Sequence, residues 1–179
     1  MRRPDRSERR TIGAVREVRH APGRVYGFLA HLDNHWHLGG RALRVATLDE
    51  GRRGGRILLA TPLGVRRTAR TAVTAAHEPD RLAGVARVGR NTRAYVQWTV
   101  EPIAGGARVA LESTIYRTGL LDRLLLALGG RWWLGRAFRR TLAGLADALD
   151  RRYGVATIGR VHEQLPVAPV SALANALDR

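Results

Sequence analysis

Residues 120–152 read LLDRLLLALGGRWWLGRAFRRTLAGLADALDRR, and this stretch decides the fold. Phe138, Leu142, Leu145 and Leu149 follow at steps of four, three and four. That spacing puts side chains on one face of an α-helix. Arg136, Arg140, Asp147 and Arg151 fall on the opposite face. An apolar stripe this long needs an apolar surface to lie on. The pair Gly129-Gly130 divides the stretch, since two glycines inside a helix cost about 2 kcal/mol relative to alanine. A short leading segment, 120–128, is left in a position to cover one end of whatever the main helix grips. Gly144 within the main helix signals close packing against a neighbouring element.

The chain before this helix supplies the surface. Residues 11–20 alternate as a strand. Pro22 then suits the first turn of a helix whose apolar face is Val25, Phe28, Leu29 and Leu32. Asp33-Asn34 ends that helix or caps a second short one, and His35-Trp36-His37-Leu38 follows. From Arg41 to Tyr116 the pattern is β. Gly51 to Gly55, Pro62 to Gly64, Glu78 to Asp80, Gly89 to Asn91 and Ala104 to Gly106 read as turns. Arg67, Ala69, Thr71 and Val73 share one strand face. So do Ala94, Val96, Trp98 and Val100, and likewise Val109, Leu111, Ser113 and Ile115. Strands joined by glycine-rich turns this short form an antiparallel meander.

With 179 residues, 45% of them hydrophobic, the chain can bury a core of its own. It has no cysteine, which removes disulfides, thiolate metal sites and cysteine nucleophiles. The net charge is +16 and all 31 basic residues are arginine. Such arginine usage, beside abundant alanine, glycine, leucine and valine, is what a GC-rich coding sequence writes. Spread along every element rather than collected in one block, the arginines read as solvated faces. That disfavours nucleic acid as a partner and leaves an anionic membrane surface open. Residues 1–10 form a charged arm expected to be disordered, and residues 153–179 a tail. Arg9-Arg10 lacks the apolar stretch of an export signal, and no run has the length of a membrane span. A cytoplasmic location is expected.

Several segments together resemble the SRPBCC superfamily of helix-grip proteins. That superfamily includes the START-type lipid carriers, the birch-pollen-allergen-like proteins and the polyketide cyclase/dehydrase group. His20-Ala21-Pro22-Gly23 running into Val25-Tyr26-Gly27-Phe28-Leu29 resembles the family's opening. Asp33-Asn34-His35-Trp36 resembles its second short helix. Glu78-Pro79-Asp80-Arg81-Leu82 resembles its central turn. Trp98-Thr99-Val100-Glu101-Pro102 with Gly106-Ala107-Arg108-Val109 resembles its last hairpin. Phe138 to Leu149 resembles the end of the gripping helix. The resemblance covers residues 11–152 and implies an α+β fold. A curved antiparallel sheet of six to seven strands wraps around a long C-terminal helix, with two short helices after the first strand. It also implies an elongated apolar cavity between sheet and helix, and no fixed catalytic motif.

The expected ligand is therefore a hydrophobic or aromatic small molecule or lipid. Its expected wall is Trp36, Leu59, Val73, Trp98, Leu111, Ser113, Trp132, Phe138 and Leu142. The alternative is a polyketide cyclase/dehydrase-type enzyme using the same cavity, for which Arg67 and His37 are the candidate catalytic residues. An inward arginine can polarise a carbonyl or hold a carboxylate. A third reading is a basic module that docks on a membrane or nucleic acid. His31, His35 and His37 form the one histidine cluster, and no second cluster completes a ligand set, so neither a metal nor a cofactor is expected. Ser113 lies mid-strand without a nucleophile elbow, and the glycine pairs lie between strands rather than before helices. These facts argue against a hydrolytic triad and a phosphate loop.

Overall fold

The computed structural model describes residues 11–38, 43–49, 53–60 and 66–154. The basic arm, Gly39-Gly40, the turn at residues 62–64 and the tail beyond Gly154 lie outside the described residues. Seven strands make one antiparallel sheet: β1 Thr11–Val18, β2 Leu43–Leu48, β3 Gly54–Ala60, β4 Arg66–His77, β5 Arg81–Val88, β6 Thr92–Ile103 and β7 Gly106–Arg117. Their spatial order is β1-β7-β6-β5-β4-β3-β2. All six neighbouring pairs run antiparallel. After β1 come α1, Pro22–Ala30, and a 3₁₀ turn, Leu32–His37. After β7 come α2, Leu120–Leu125, a π turn, Leu126–Gly130, and the long α3, Arg131–Tyr153. This is the helix-grip arrangement expected from the sequence.

Period-two alternation decides the inner face of the sheet. In β7, Ala107, Val109, Leu111, Ser113 and Ile115 are buried, while Arg108, Glu112 and Tyr116 are exposed. In β6, Ala94, Trp98 and Val100 turn inward and Tyr95 and Glu101 outward. Pro22 opens α1, which buries Val25, Tyr26, Phe28 and Leu29. The stripe Phe138, Leu142, Leu145, Leu149 is buried along α3. Full burial of each leucine is worth about 1.5–3 kcal/mol. Gly144 lies where α3 meets the chain after the 3₁₀ turn; a Cβ there would come within 2.7 Å of the Leu38 carbonyl oxygen.

Two pairs hold the edge strand, one to the long helix and one to the neighbouring strand. His20, at the end of β1, has Nε2 2.7 Å from Asp150 Oδ1 on α3. Arg108 of β7 reaches Glu17 of β1 at 2.9 Å. The helix α3 packs chiefly on β1 and β7, and α1 on β5, β6 and β7. The half of the inner face formed by β2 to β5 therefore has no long helix lying directly on it.

Two expectations are corrected. Gly54-Gly55, read as part of a turn, begins β3. A Cβ on Gly55 would come within 2.3 Å of the Thr47 carbonyl oxygen, and one on Gly54 within 2.6 Å of that of Thr71. Only glycine lets the three strands approach this closely. The leading helical segment is shorter than 120–128. Its regular part stops at Leu125, and Gly129 takes φ +100° inside the π turn.

Candidate ligand cavity

A cavity of about 320 Å³ lies between the helices and the uncovered half of the sheet. Its floor is built from small side chains: Ala69 and Thr71 of β4, Gly84 and Ala86 of β5, Ala94 of β6. Larger residues close its sides, with Trp98 and Leu111 beside α3 and Leu32 and Leu38 near the 3₁₀ turn. Leu125, Leu126, Trp133, Leu134 and Phe138 form the roof. The space exists because side chains this short on β4 to β6 cannot reach a helix held against β1 and β7. Ligand sites commonly occupy about 300–1,000 Å³, so the volume suits a small molecule.

Most polar groups in the wall are already bonded to the protein. Thr71 Oγ1 donates to the Gly55 carbonyl at 3.4 Å, and Thr141 Oγ1 to that of Ala137 at 3.0 Å. His35 Nε2 lies 2.9 Å from the Leu29 carbonyl oxygen and therefore donates to it. The proton sits on Nε2 and leaves Nδ1 as an acceptor. Burial holds the His35 pKa below its ordinary value of 6.5, against the smaller opposing effect of the Leu29 bond. Its ring meets Trp98 edge-on, 5.8 Å between centroids.

The lid end of the cavity is polar. Arg67 Nη2 pairs with the Asp122 carboxylate at 2.9 Å. Thr92 Oγ1 donates to Asp122 Oδ2 at 2.5 Å and accepts from the Gly119 N–H at 2.9 Å. These contacts pin the first turn of α2 to β4 and β6. All three side chains line the cavity.

Of the residues expected in the wall, Leu59, Val73, Trp98, Leu111, Ser113 and Phe138 line the cavity. Leu142 is not among the lining residues; it is 1% exposed, one turn beyond Phe138 in the solid core. Trp132 lies outside, 66% exposed, with the Arg136 guanidinium 5.8 Å from its ring centre. Trp133 takes the wall position instead. Trp132 would share the face of Leu121, Leu125 and Leu128 only along one regular helix, and the π turn with Gly129 resets the helical phase. Arg67 points into the cavity and is engaged by Asp122. The side chains of Trp36 and His37 lie outside the described residues. His31 is exposed, and no group of three potential metal ligands occurs among the described residues.

Asp122, His35 and Thr92 are absent from the wall that the sequence suggests. Asp122 carries a signal: it precedes Leu125 and Leu126 by three and four positions and so shares their helical face. His35 and Thr92 carry none, because each sits at an irregular junction or strand end.

The model of a family described as polyketide cyclase / dehydrase and lipid transport matches residues 9–150. Among solved structures, a Thermus thermophilus protein is 20% identical with a TM-score of 0.63, over 80% of this chain and 99% of that one. A Mycobacterium smegmatis protein is 15% identical with a TM-score of 0.61, over 82% and 95%. An Arthrobacter aurescens protein solved by NMR is 14% identical with a TM-score of 0.59, over 88% and 96%. At these identities the likeness shows the fold alone. No curated protein matches the chain.

Proposed function

Since the chain belongs to the polyketide cyclase / dehydrase and lipid transport family, we propose that it binds a hydrophobic small molecule or lipid carrying one polar group. The observation behind this reading is the 320 Å³ cavity with apolar walls and a single charged end. The apolar part of the ligand lies against Val73, Trp98, Leu111 and Phe138, and the polar group meets Arg67, Asp122 and Thr92. Leu59 and Ser113 complete the wall. Binding without chemistry is favoured because the protein already bonds most of the polar groups in the wall.

The test is titration with a fluorescent fatty acid. Wild type binds it saturably at one site, and Ala86→Phe, which fills the floor of the cavity, weakens binding at least tenfold while remaining folded. Equal binding by both proteins overturns the reading. A second reading, cyclase/dehydrase chemistry at Arg67, is favoured by the Arg67–Asp122 pair facing the cavity. It predicts accelerated cyclisation of a poly-β-ketone thioester that is lost in Arg67→Met. A rate equal to that without protein removes it.

A further inference from the structure

A row of arginines crosses the sheet. Arg56 of β3 lies opposite Arg70 of β4, and Arg70 opposite Arg87 of β5. Arg87 in turn faces Arg93 of β6, and Arg93 faces Arg117 of β7. Like charges directly opposed on neighbouring strands repel. None of the five has an ion-pair partner among the described residues. Arg93 Nε is buried without a hydrogen-bond partner. Arg56, Arg70 and Arg87 are exposed on the outer face, where they border a shallow groove with Thr68 and Gly89. The arginines that look scattered along the chain are brought together by strand register.

The same end of the molecule carries an uncovered apolar surface. Arg87 and Arg93 flank the β5–β6 turn, and Arg117 ends β7 three positions before α2 begins. From α2 to the first turn of α3, Leu120, Leu124, Leu128 and Trp132 are 83%, 56%, 66% and 66% exposed. Between residues 120 and 140 the five arginines, Arg123, Arg131, Arg136, Arg139 and Arg140, are all exposed. The sole acid of that stretch, Asp122, is turned inward onto Arg67.

We propose that this end of the molecule docks on an anionic lipid bilayer, with the exposed leucines and Trp132 at the headgroup–acyl boundary and the arginines on lipid phosphates. Interfacial segments combine these features: large apolar side chains on one side, arginines around them, and tryptophan at the boundary. A nucleic acid would engage the arginine row and leave the leucines in water. A second copy of the chain could cover the leucines and would gain nothing from the arginine row. The inner side of the docked segment, Leu125 and Leu126, roofs the cavity, so docking sets the bilayer against that roof. Docking goes beyond ligand binding and does not require a filled cavity.

The test is co-sedimentation of the full chain with vesicles of phosphatidylcholine alone and of phosphatidylcholine with one third phosphatidylglycerol, at low and high salt. Wild type pellets with the anionic vesicles at low salt and is released by high salt. Leu124→Glu with Leu128→Glu weakens pelleting by at least about tenfold. Arg70→Gln with Arg87→Gln weakens it by about 25-fold, at roughly fivefold for each arginine. Circular dichroism and fatty-acid titration of each variant stay at wild-type values, because none of the four residues lines the cavity. That control separates a failure of docking from a failure of the cavity reading. Docking is overturned if wild type stays in the supernatant. It is overturned equally if both variants pellet like wild type, if DNA alone binds, or if the leucine variant merely converts a dimer to a monomer.

Discussion

At His35 a single ring links burial to pH. Its folded pKa lies below the ordinary 6.5 because the site is desolvated. Above about pH 6.5 the ring is neutral folded or unfolded, and its titration contributes nothing to the difference. As pH falls below that value the unfolded chain takes up a proton the folded one resists. Stability then drops until the lower folded pKa is passed. The melting temperature of wild type should therefore fall more steeply from about pH 7 to pH 5 than that of His35→Gln, which keeps an amide donor for the Leu29 carbonyl. Parallel curves would contradict this. Asp122 makes the second residue-scale case. Asp122→Ala leaves the Arg67 guanidinium and the Thr92 hydroxyl without their carboxylate and should destabilise by about 1–3 kcal/mol, read as a lower denaturant midpoint. A midpoint equal to wild type would show that the pair does not hold the lid. Asp122 is legible in part, through its helical phase with Leu125. Its partners are not, because Arg67 is distant in sequence and nothing in a strand pattern shows which carboxylate a cation meets.

The elements divide into those that periodicity specifies and one it misplaces. Long runs with a uniform period are readable: alternation in β6 and β7, and the 3.6-residue stripe of α3. Each such residue faces an extended partner surface, so its burial is decided by phase alone. Leu145→Ala should accordingly cost about 2–5 kcal/mol, since it opens a void where the side chain is fully buried. A change below about 1 kcal/mol would mean that α3 does not grip the sheet there. The lid is different. A glycine at φ +100° sits within a π turn, and phase carried across it is lost. That is why Trp133 lines the cavity in place of the expected Trp132. Gly129→Ala forces a Cβ into left-handed backbone and should destabilise by about 1–2 kcal/mol, with a lower melting temperature. An unchanged or higher melting temperature would contradict the kink as a fixed feature. The pair Gly54-Gly55 misleads for a related reason. Glycine serves both turns and close strand contacts, and the sequence does not distinguish them.

For the whole molecule, the cavity follows from what the helix does not cover. Alanine and glycine on the inner faces of β4, β5 and β6 are visible in the sequence, but a cavity also depends on the height of the roof above them. That height is set by α3 resting on β1 and β7 at the far side of the sheet. Charge behaves the same way: the arginines are dispersed in the chain and aligned only by strand register. The central claim is that a hydrophobic ligand enters this cavity rather than adhering to the exposed leucines outside. Methyl-labelled NMR with bound decanoate tests it directly. Intermolecular NOEs should connect the ligand chain to the methyls of Leu82, Leu111 and Leu126, which line the cavity, and not to those of Leu124 and Leu128, which do not. NOEs to Leu124 and Leu128 alone, or no saturable binding, would contradict the account.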